Sequence, residues 1–215
     1  MLAQLLDAFF PPMCGICGKE NKNFLCYECR NKLQKEFFFK KLRSKNKYFI
    51  EQYYFFKYQN LARKLILDMK FEKKPYIYKT IQYFLEKNKK CLENLKKYGI
   101  IIVVPLSRQR LHIRGFNQSQ LIAHCISNIL QIKIQKNILY KTKDILPQST
   151  LNKEQRIQNI KGVYKVQNIE CIKNKKILLI DDIYTTGSTL NECCKILVKK
   201  GINKQNIGVL TFAKD

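Results

Sequence analysis

The chain has 215 residues, 46% of them hydrophobic, which is enough for one full core with a small appendage and excludes a disordered chain. Its 41 Lys and Arg against 16 Asp and Glu leave a net charge of +25, more than solubility needs, and point to polyanionic partners such as phosphate ligands or nucleic acid. A/T-rich codons also produce Lys, Asn and Ile, so the diffuse lysines weigh less than clustered arginines, which that bias does not supply.

The chain opens on MLAQLLDAFFPP, where Leu2, Leu5, Leu6 and Phe9 fit one face of a short amphipathic helix ended by Pro11 and Pro12. It carries Asp7 and no basic leader, so a signal peptide is not expected. No apolar run approaches the ~20 residues of a membrane span. The expected location is therefore the cytoplasm, where the nine cysteines are reduced thiols and clustered pairs tend to hold metal.

Such a cluster follows in CGICGKENKNFLCYEC. Cys14 and Cys17, then Cys26 and Cys29, form two Cys-x-x-Cys turns, and together they offer four thiolates to one zinc ion. Two redox pairs or four core thiols would share this spacing, but a segment so short has too small a core to fold without a staple. With all four positions filled by protein, the metal is expected to be structural. Cys91, Cys125, Cys171, Cys193 and Cys194 fall in apolar patterns and are expected in the core.

The aromatic stretch YFIEQYYFFKY comes next. Alternation of Tyr53, Phe55 and Lys57 against Tyr54, Phe56 and Tyr58 predicts a strand between the cysteine module and the core, although aromatics interleaved with lysine also suit base stacking. Helical spacing follows at Leu61, Leu65 and Met69, then at Ile77, Ile81, Phe84 and Leu85.

From Gly99 short apolar runs alternate with amphipathic helices. Strands are expected at 100–104, 176–180 and 207–212, with helices built on Gln118, Leu121, Ile122, Cys125 and Ile129 and on Leu190, Cys193, Cys194, Leu197 and Val198. Strands apolar throughout belong in a parallel sheet covered on both faces, so the fold class is α/β. After the first strand comes PLSRQRLHIRGFNQ, an irregular basic loop in which Arg108, Arg110 and Arg114 offer planar forks to phosphate oxygens. A solvated basic turn, with Gly115 starting the next helix, is the plainer alternative, and His112 is a bystander there or a proton donor.

The most informative stretch is ILLIDDIYTTGSTL, residues 177–190. Asp181 and Asp182 are expected at the carboxyl end of a central strand, where open α/β sheets bind ligands. Two ionised carboxylates accept hydrogen bonds from a sugar diol. Thr185, Thr186, Gly187, Ser188 and Thr189 lead into a helix starting near Ser188 or Thr189, and its free N–H groups with the hydroxyls make a phosphate cradle. Either half alone would be ordinary capping; together they fit a ribose 5-phosphate.

This stretch resembles the phosphoribosyl-pyrophosphate (PRPP) signature of the type I phosphoribosyltransferases, with Tyr184 where that superfamily commonly has an aliphatic residue. Together with VVPLSRQRLHIRGFNQSQLIA, PQSTLNKEQRIQNIKGVY and the cysteine pairs in the same order, the chain is identified as a member of the ComF family, associated with bacterial competence for DNA uptake. The resemblance implies a type I phosphoribosyltransferase fold, a parallel sheet with flanking helices, carrying a small N-terminal zinc knuckle or ribbon. It implies a zinc module over 1–45 and a phosphoribosyltransferase-like domain over 46–215, with an aromatic and helical hood at 46–98 and a PRPP-binding core at 99–215. It assigns Arg108, Arg110 and Arg114 to pyrophosphate with magnesium, and Gln148, Ser149 and Arg156 to a mobile segment. Two functions follow: binding of single-stranded DNA and PRPP beside other competence proteins at the inner membrane, or transfer of ribose 5-phosphate to a nitrogen acceptor with Asp181 and Asp182 catalytic. No segment announces the acceptor.

Overall fold

The computed structural model describes residues 12–143 and 160–215. The expected N-terminal helix face, Leu2 to Phe9, and Gln148, Ser149 and Arg156 lie outside the described residues. In the main sheet β1 (Lys40–Arg43) is antiparallel to β2 (Glu51–Lys57). Parallel pairing then joins β2 to β7 (Ile207–Lys214), β7 to β6 (Ile177–Tyr184), and β6 to β3 (Ile100–Val103), which gives the order β1-β2-β7-β6-β3. Beyond β3 the backbone at Ile101 bonds to Lys133 and Gln135, at 2.9 and 2.8 Å, which adds a short extended segment to that edge. The three strands expected from apolar runs are β3, β6 and β7.

Alternation along these strands explains the layering. Ile101, Leu178, Ile180, Leu210 and Phe212 share one core with α1 (Tyr27–Glu36), α2 (Asn60–Phe71), α3 (Ile77–Lys87) and α5 (Gln118–Leu130). Ile100, Ile102, Ile177, Leu179, Ile207 and Val209 join a second core under α6 (Ser188–Lys199) and the hairpin of β4 (Leu139–Lys141) and β5 (Tyr164–Val166). Both faces are dry, as a parallel sheet requires. Among the described residues no helix is long and apolar enough to cross a membrane.

The strand expected over the aromatic stretch is β2, but its burial does not alternate. Tyr53, Tyr54, Phe55 and Phe56 are all buried, because β2 lies inside the sheet with cover on both faces. Phe56 packs on Phe212 at 4.9 Å between ring centroids, and Phe37 stands edge-on to Phe56 at 5.5 Å. These rings hold the core together and offer no face to a base. The expectation for the scattered cysteines holds for Cys125, Cys193 and Cys194; Cys91 is half-buried, and Cys171 is exposed with its thiol on the Asn168 carbonyl.

At the start of β2, Glu51 gathers four donors: Lys41 at 2.8 Å, Tyr98 at 2.7 Å, Tyr53 at 2.9 Å, and Lys97. Tyr98 reaches it by lying across Gly208, where a Cβ would stand 1.9 Å from the phenol oxygen. Burial alone would raise the Glu51 pKa, but Lys41, Lys97 and the two phenols outweigh it and hold the carboxyl at about 2. A depressed carboxylate contributes stability that is present above the unfolded value, near 4.5, and lost as pH falls towards about 2. Glu51→Gln is therefore expected to lower stability by about 1–3 kcal/mol at neutral pH. Urea denaturation across that acid range should show a shallower loss of stability in the variant than in the wild type.

Candidate functional site

β6 outruns its neighbour. β3 ends at Val103 opposite Ile180, whereas β6 continues along β7 to the pair Tyr184 and Lys214. Asp181 and Asp182 therefore lie within the last half of the strand, not after it, with one strand edge open beside them. The start of α5 packs beside that edge. Asn117 donates to the Val104 carbonyl at 3.0 Å and caps α5 by accepting from the Ser119 N–H, which sets the Ser119 hydroxyl 2.9 Å from Asp181 Oδ1.

Asp181 Oδ1 also accepts the Asp182 N–H at 2.9 Å, and Asp182 Oδ1 accepts the Ile183 N–H at 2.8 Å. The other Asp182 oxygen pairs with Lys70 from α2 at 2.6 Å. Burial, and next the charge of Asp182, push the Asp181 carboxyl above the ordinary carboxylate range; Ser119, the Asp182 N–H and Lys70 pull the other way without prevailing. Two like charges side by side cannot both ionise freely.

The basic segment is a helix, α4 (Arg108–Arg114), and not the irregular loop expected. Ser107 caps its start by accepting from the Arg110 N–H, and Gly115 ends it in the left-handed conformation at φ 78°. Arg, Gln and Leu are good helix formers, and the two caps suffice for a segment with no apolar periodicity. Arg114 is half-buried, donates to Gln118 at 3.2 Å and stands 5.8 Å from the Phe71 ring centroid. Burial lowers its pKa, with the Asp182 charge raising it and Arg110 lowering it. Arg114 thus lies within electrostatic reach of Asp182 and of Arg110, whereas Arg108 is exposed at the first turn of α4.

Thr185 to Thr189 turn from β6 into α6, which begins at Ser188 as expected. Gly187 caps it at φ 74°, and a Cβ there would stand 2.3 Å from the Tyr184 hydroxyl, so the residue that departs from the superfamily pattern packs directly on the glycine. The hydroxyls of Thr186 and Ser188 are 2.7 Å apart, and the Asn191 N–H donates to the Gly187 carbonyl at 2.8 Å. A pocket of about 300 Å³ adjoins this turn, lined by Thr186, Gly187, Ser188, Lys161 and Lys195 among others.

The four N-terminal cysteines converge. Their Sγ atoms lie within 4.8 Å of one another, with Cys17 and Cys26 at 3.8 Å. A tetrahedral zinc with Zn–S bonds of ~2.3 Å holds its sulfurs about 3.8 Å apart, so the cluster can hold a metal ion such as zinc. Burial raises the Cys14 pKa, but bonds to the backbone at Cys17, Cys26 and Ile16 outweigh it and bring the thiol down to about 7, whereas burial and the neighbouring thiols push Cys29 up. The knuckle is pinned to α3 by Thr80, which accepts from the Gly15 N–H at 3.1 Å and donates to the Phe24 carbonyl at 2.5 Å. A Cβ on Gly15 would stand 2.5 Å from that hydroxyl.

The sequence does not announce Lys70 or Ser119. Lys70 follows Met69 in an ordinary helical pattern. The only cue to Ser119 is its place just after the Asn117 cap, where the first turn of α5 faces the open edge of β6.

A family profile described as the phosphoribosyl transferase domain matches residues 89–215. The chain is 32% identical over 209 residues to competence protein F of Haemophilus influenzae, covering 94% of this chain and 85% of that protein. It is 30% identical over 101 residues to the DNA utilization protein YhgH of Escherichia coli K12, covering 47% of this chain and 44% of that protein. It is 30% identical over 110 residues to competence protein ComFC of Bacillus subtilis, covering 49% and 40%. With the parallel sheet, the acid pair and the four-cysteine cluster before it, the chain belongs to the ComF-type family of proteins built on the phosphoribosyl transferase domain.

Proposed function

We propose that the protein binds PRPP at the end of β6 and handles single-stranded DNA during uptake, at the cytoplasmic face of the inner membrane beside other competence proteins. The observation that carries the PRPP half is the convergence of Asp181, Asp182, Ser119 and Lys70 at the open edge of β6, directly before the glycine turn into α6. In this assignment Asp181 and Asp182 accept the ribose hydroxyls. Thr185, Thr186, Gly187, Ser188 and Thr189 take the 5-phosphate on the first N–H groups of α6. Arg110 and Arg114, with Arg108 at the rim, face the diphosphate.

Lys70 gives Asp182 a built-in counter-charge, and Ser119 fixes the rotamer of Asp181. The acidic and hydroxyl groups present fit a magnesium–diphosphate ligand, and the ion would supply neutralisation of diphosphate charge. The four-cysteine knuckle carries zinc in a structural role, since its ligand set is complete without solvent. The DNA half draws on the names of the relatives and on the net charge of +25.

Catalysed transfer of ribose 5-phosphate to a nitrogen nucleophile is a second reading, favoured by Arg114, which feels the charge of Asp182 and has Arg110 beside it, where departing diphosphate would gather charge. PRPP-dependent release of pyrophosphate in a broad acceptor screen tests it; release abolished by Asp181→Asn supports transfer, and no release with any acceptor leaves a binding protein. For the proposal as a whole, transformation frequency in a strain carrying Asp181→Asn with Asp182→Asn should fall at least tenfold. An unchanged frequency would separate the PRPP site from DNA uptake.

A further inference from the structure

Between the cysteine knuckle and α3 lies a second pocket, of about 360 Å³, remote in sequence from the acid pair and the glycine turn. Three half-buried rings line it, Phe24 from the knuckle and Tyr78 and Tyr83 from α3. Three lysines stand among them. Lys22 and Lys79 are in the lining, Lys79 with its ammonium 4.5 Å from the Phe24 ring centroid, and Lys87 is 5.3 Å from that of Tyr83. The lining also includes one acid, Glu86, and Gln82 holds one of its oxygens at 2.9 Å.

Phe24 is held in an unusual way. Its φ of 58° is left-handed, a conformation that bulky side chains avoid. The Thr80 hydroxyl and the Gly15 N–H both bond its carbonyl, at 2.5 and 3.2 Å, so the docking of knuckle on α3 imposes the turn. The ring that results is neither in the core nor in open water. It lines the pocket together with the two tyrosines of α3.

Rings that are half exposed and interleaved with ammonium groups suit unpaired bases, which stack on aromatic faces while lysines track the phosphates. A duplex keeps its bases stacked on each other and would use only the lysines. The buried rings of β2 cannot serve this purpose, whereas these can. The geometry points to the groove between knuckle and α3 as a contact track for single-stranded DNA, with Phe24, Tyr78 and Tyr83 stacking bases and Lys22, Lys79 and Lys87 taking phosphates. This rests on the single-stranded DNA reading above and gives it an address.

The test is fluorescence anisotropy of a labelled oligo-dT with the full-length, zinc-loaded protein over a salt series. Tyr78→Ala with Tyr83→Ala should weaken binding at least tenfold and leave the salt slope unchanged. Lys22→Gln, Lys79→Gln and Lys87→Gln together should reduce the log–log slope by about 2, at ~0.7 for each phosphate that a lysine no longer neutralises. The same number of changes on exposed residues of β1 and just after it, Lys40→Gln, Arg43→Gln and Lys45→Gln, should leave that slope in place. Because the chain has no Trp, Tyr83→Trp adds a single reporter that does not depend on the tolerance of the alanine pair, and its emission should be quenched by oligo-dT. If the wild type does not bind oligo-dT, the DNA reading itself fails. If it binds, but the groove variants bind equally well or the β1 edge changes the slope as much as the groove does, the groove assignment alone is overturned.

Discussion

Removal of zinc is expected to destabilise the whole molecule and not merely its N-terminus. Cys14 and Cys29 are buried together with Leu25 and Leu33 in the same core that holds α3 and the inner strands. The Thr80 hydroxyl ties the knuckle backbone to the middle of α3, so the seat and the core share one wall. Zinc in small cysteine modules contributes an apparent ~10–16 kcal/mol of folding free energy, comparable with the ~5–15 kcal/mol that keeps an entire domain folded. If even ~4 kcal/mol of it reaches this core, Tm should fall by roughly 8–16 °C. Elemental analysis should find one zinc per chain, and a chelator or Cys14→Ser with Cys29→Ser should lower Tm by that amount and increase hydrogen exchange in α3. Protein that carries no metal and melts unchanged with chelator would remove the zinc assignment.

Asp181→Asn is expected to split stability from ligand binding. A carboxyl whose folded pKa is raised costs stability once the pH exceeds its unfolded value, near 3.8, and the cost grows until the folded pKa is passed. Asparagine keeps the oxygen that accepts from Ser119 and removes the repulsion with Asp182. The variant should therefore melt at least as high as the wild type, with the difference widening from about pH 4 to about pH 7. Ligand affinity should move in the opposite direction. Charge-assisted hydrogen bonds contribute ~1.5–3 kcal/mol each, so loss of one carboxylate should cost roughly 10- to 100-fold in PRPP affinity. Thermal denaturation read beside PRPP titration on the same samples checks both; a lower melting temperature at neutral pH would contradict the account of Asp181.

The parallel sheet is legible in the sequence because a strand buried on both faces must be apolar throughout, and IIIVV, KILLI and IGVLTF have no competing pattern. The cysteine spacing and the start of α6 are legible for similar local reasons. β2 is legible as a strand but not in its burial, since a run of Tyr and Phe reads as alternating or as continuous core equally well. α4 escapes such a reading because a seven-residue polar helix carries no periodicity and is announced only by its caps. The partners of the acid pair are out of reach for another reason: Ser119 meets Asp181 across 62 residues, and Lys70 meets Asp182 from a helix on a different part of the chain. Local pattern says nothing about which polar side chain a folded sheet will bring to its edge.

Asp181 and Asp182, set at the open edge of β6, are proposed as the receptor for the ribose of PRPP. The direct measurement is isothermal titration of PRPP with magnesium into the zinc-loaded wild type and into Asp181→Asn with Asp182→Asn. One site per chain is expected in the wild type, with an affinity that rises from about pH 6 to about pH 8 as Asp181 gives up its proton, and binding should weaken at least ~100-fold in the double variant. Heat and affinity unchanged by the double substitution would contradict it.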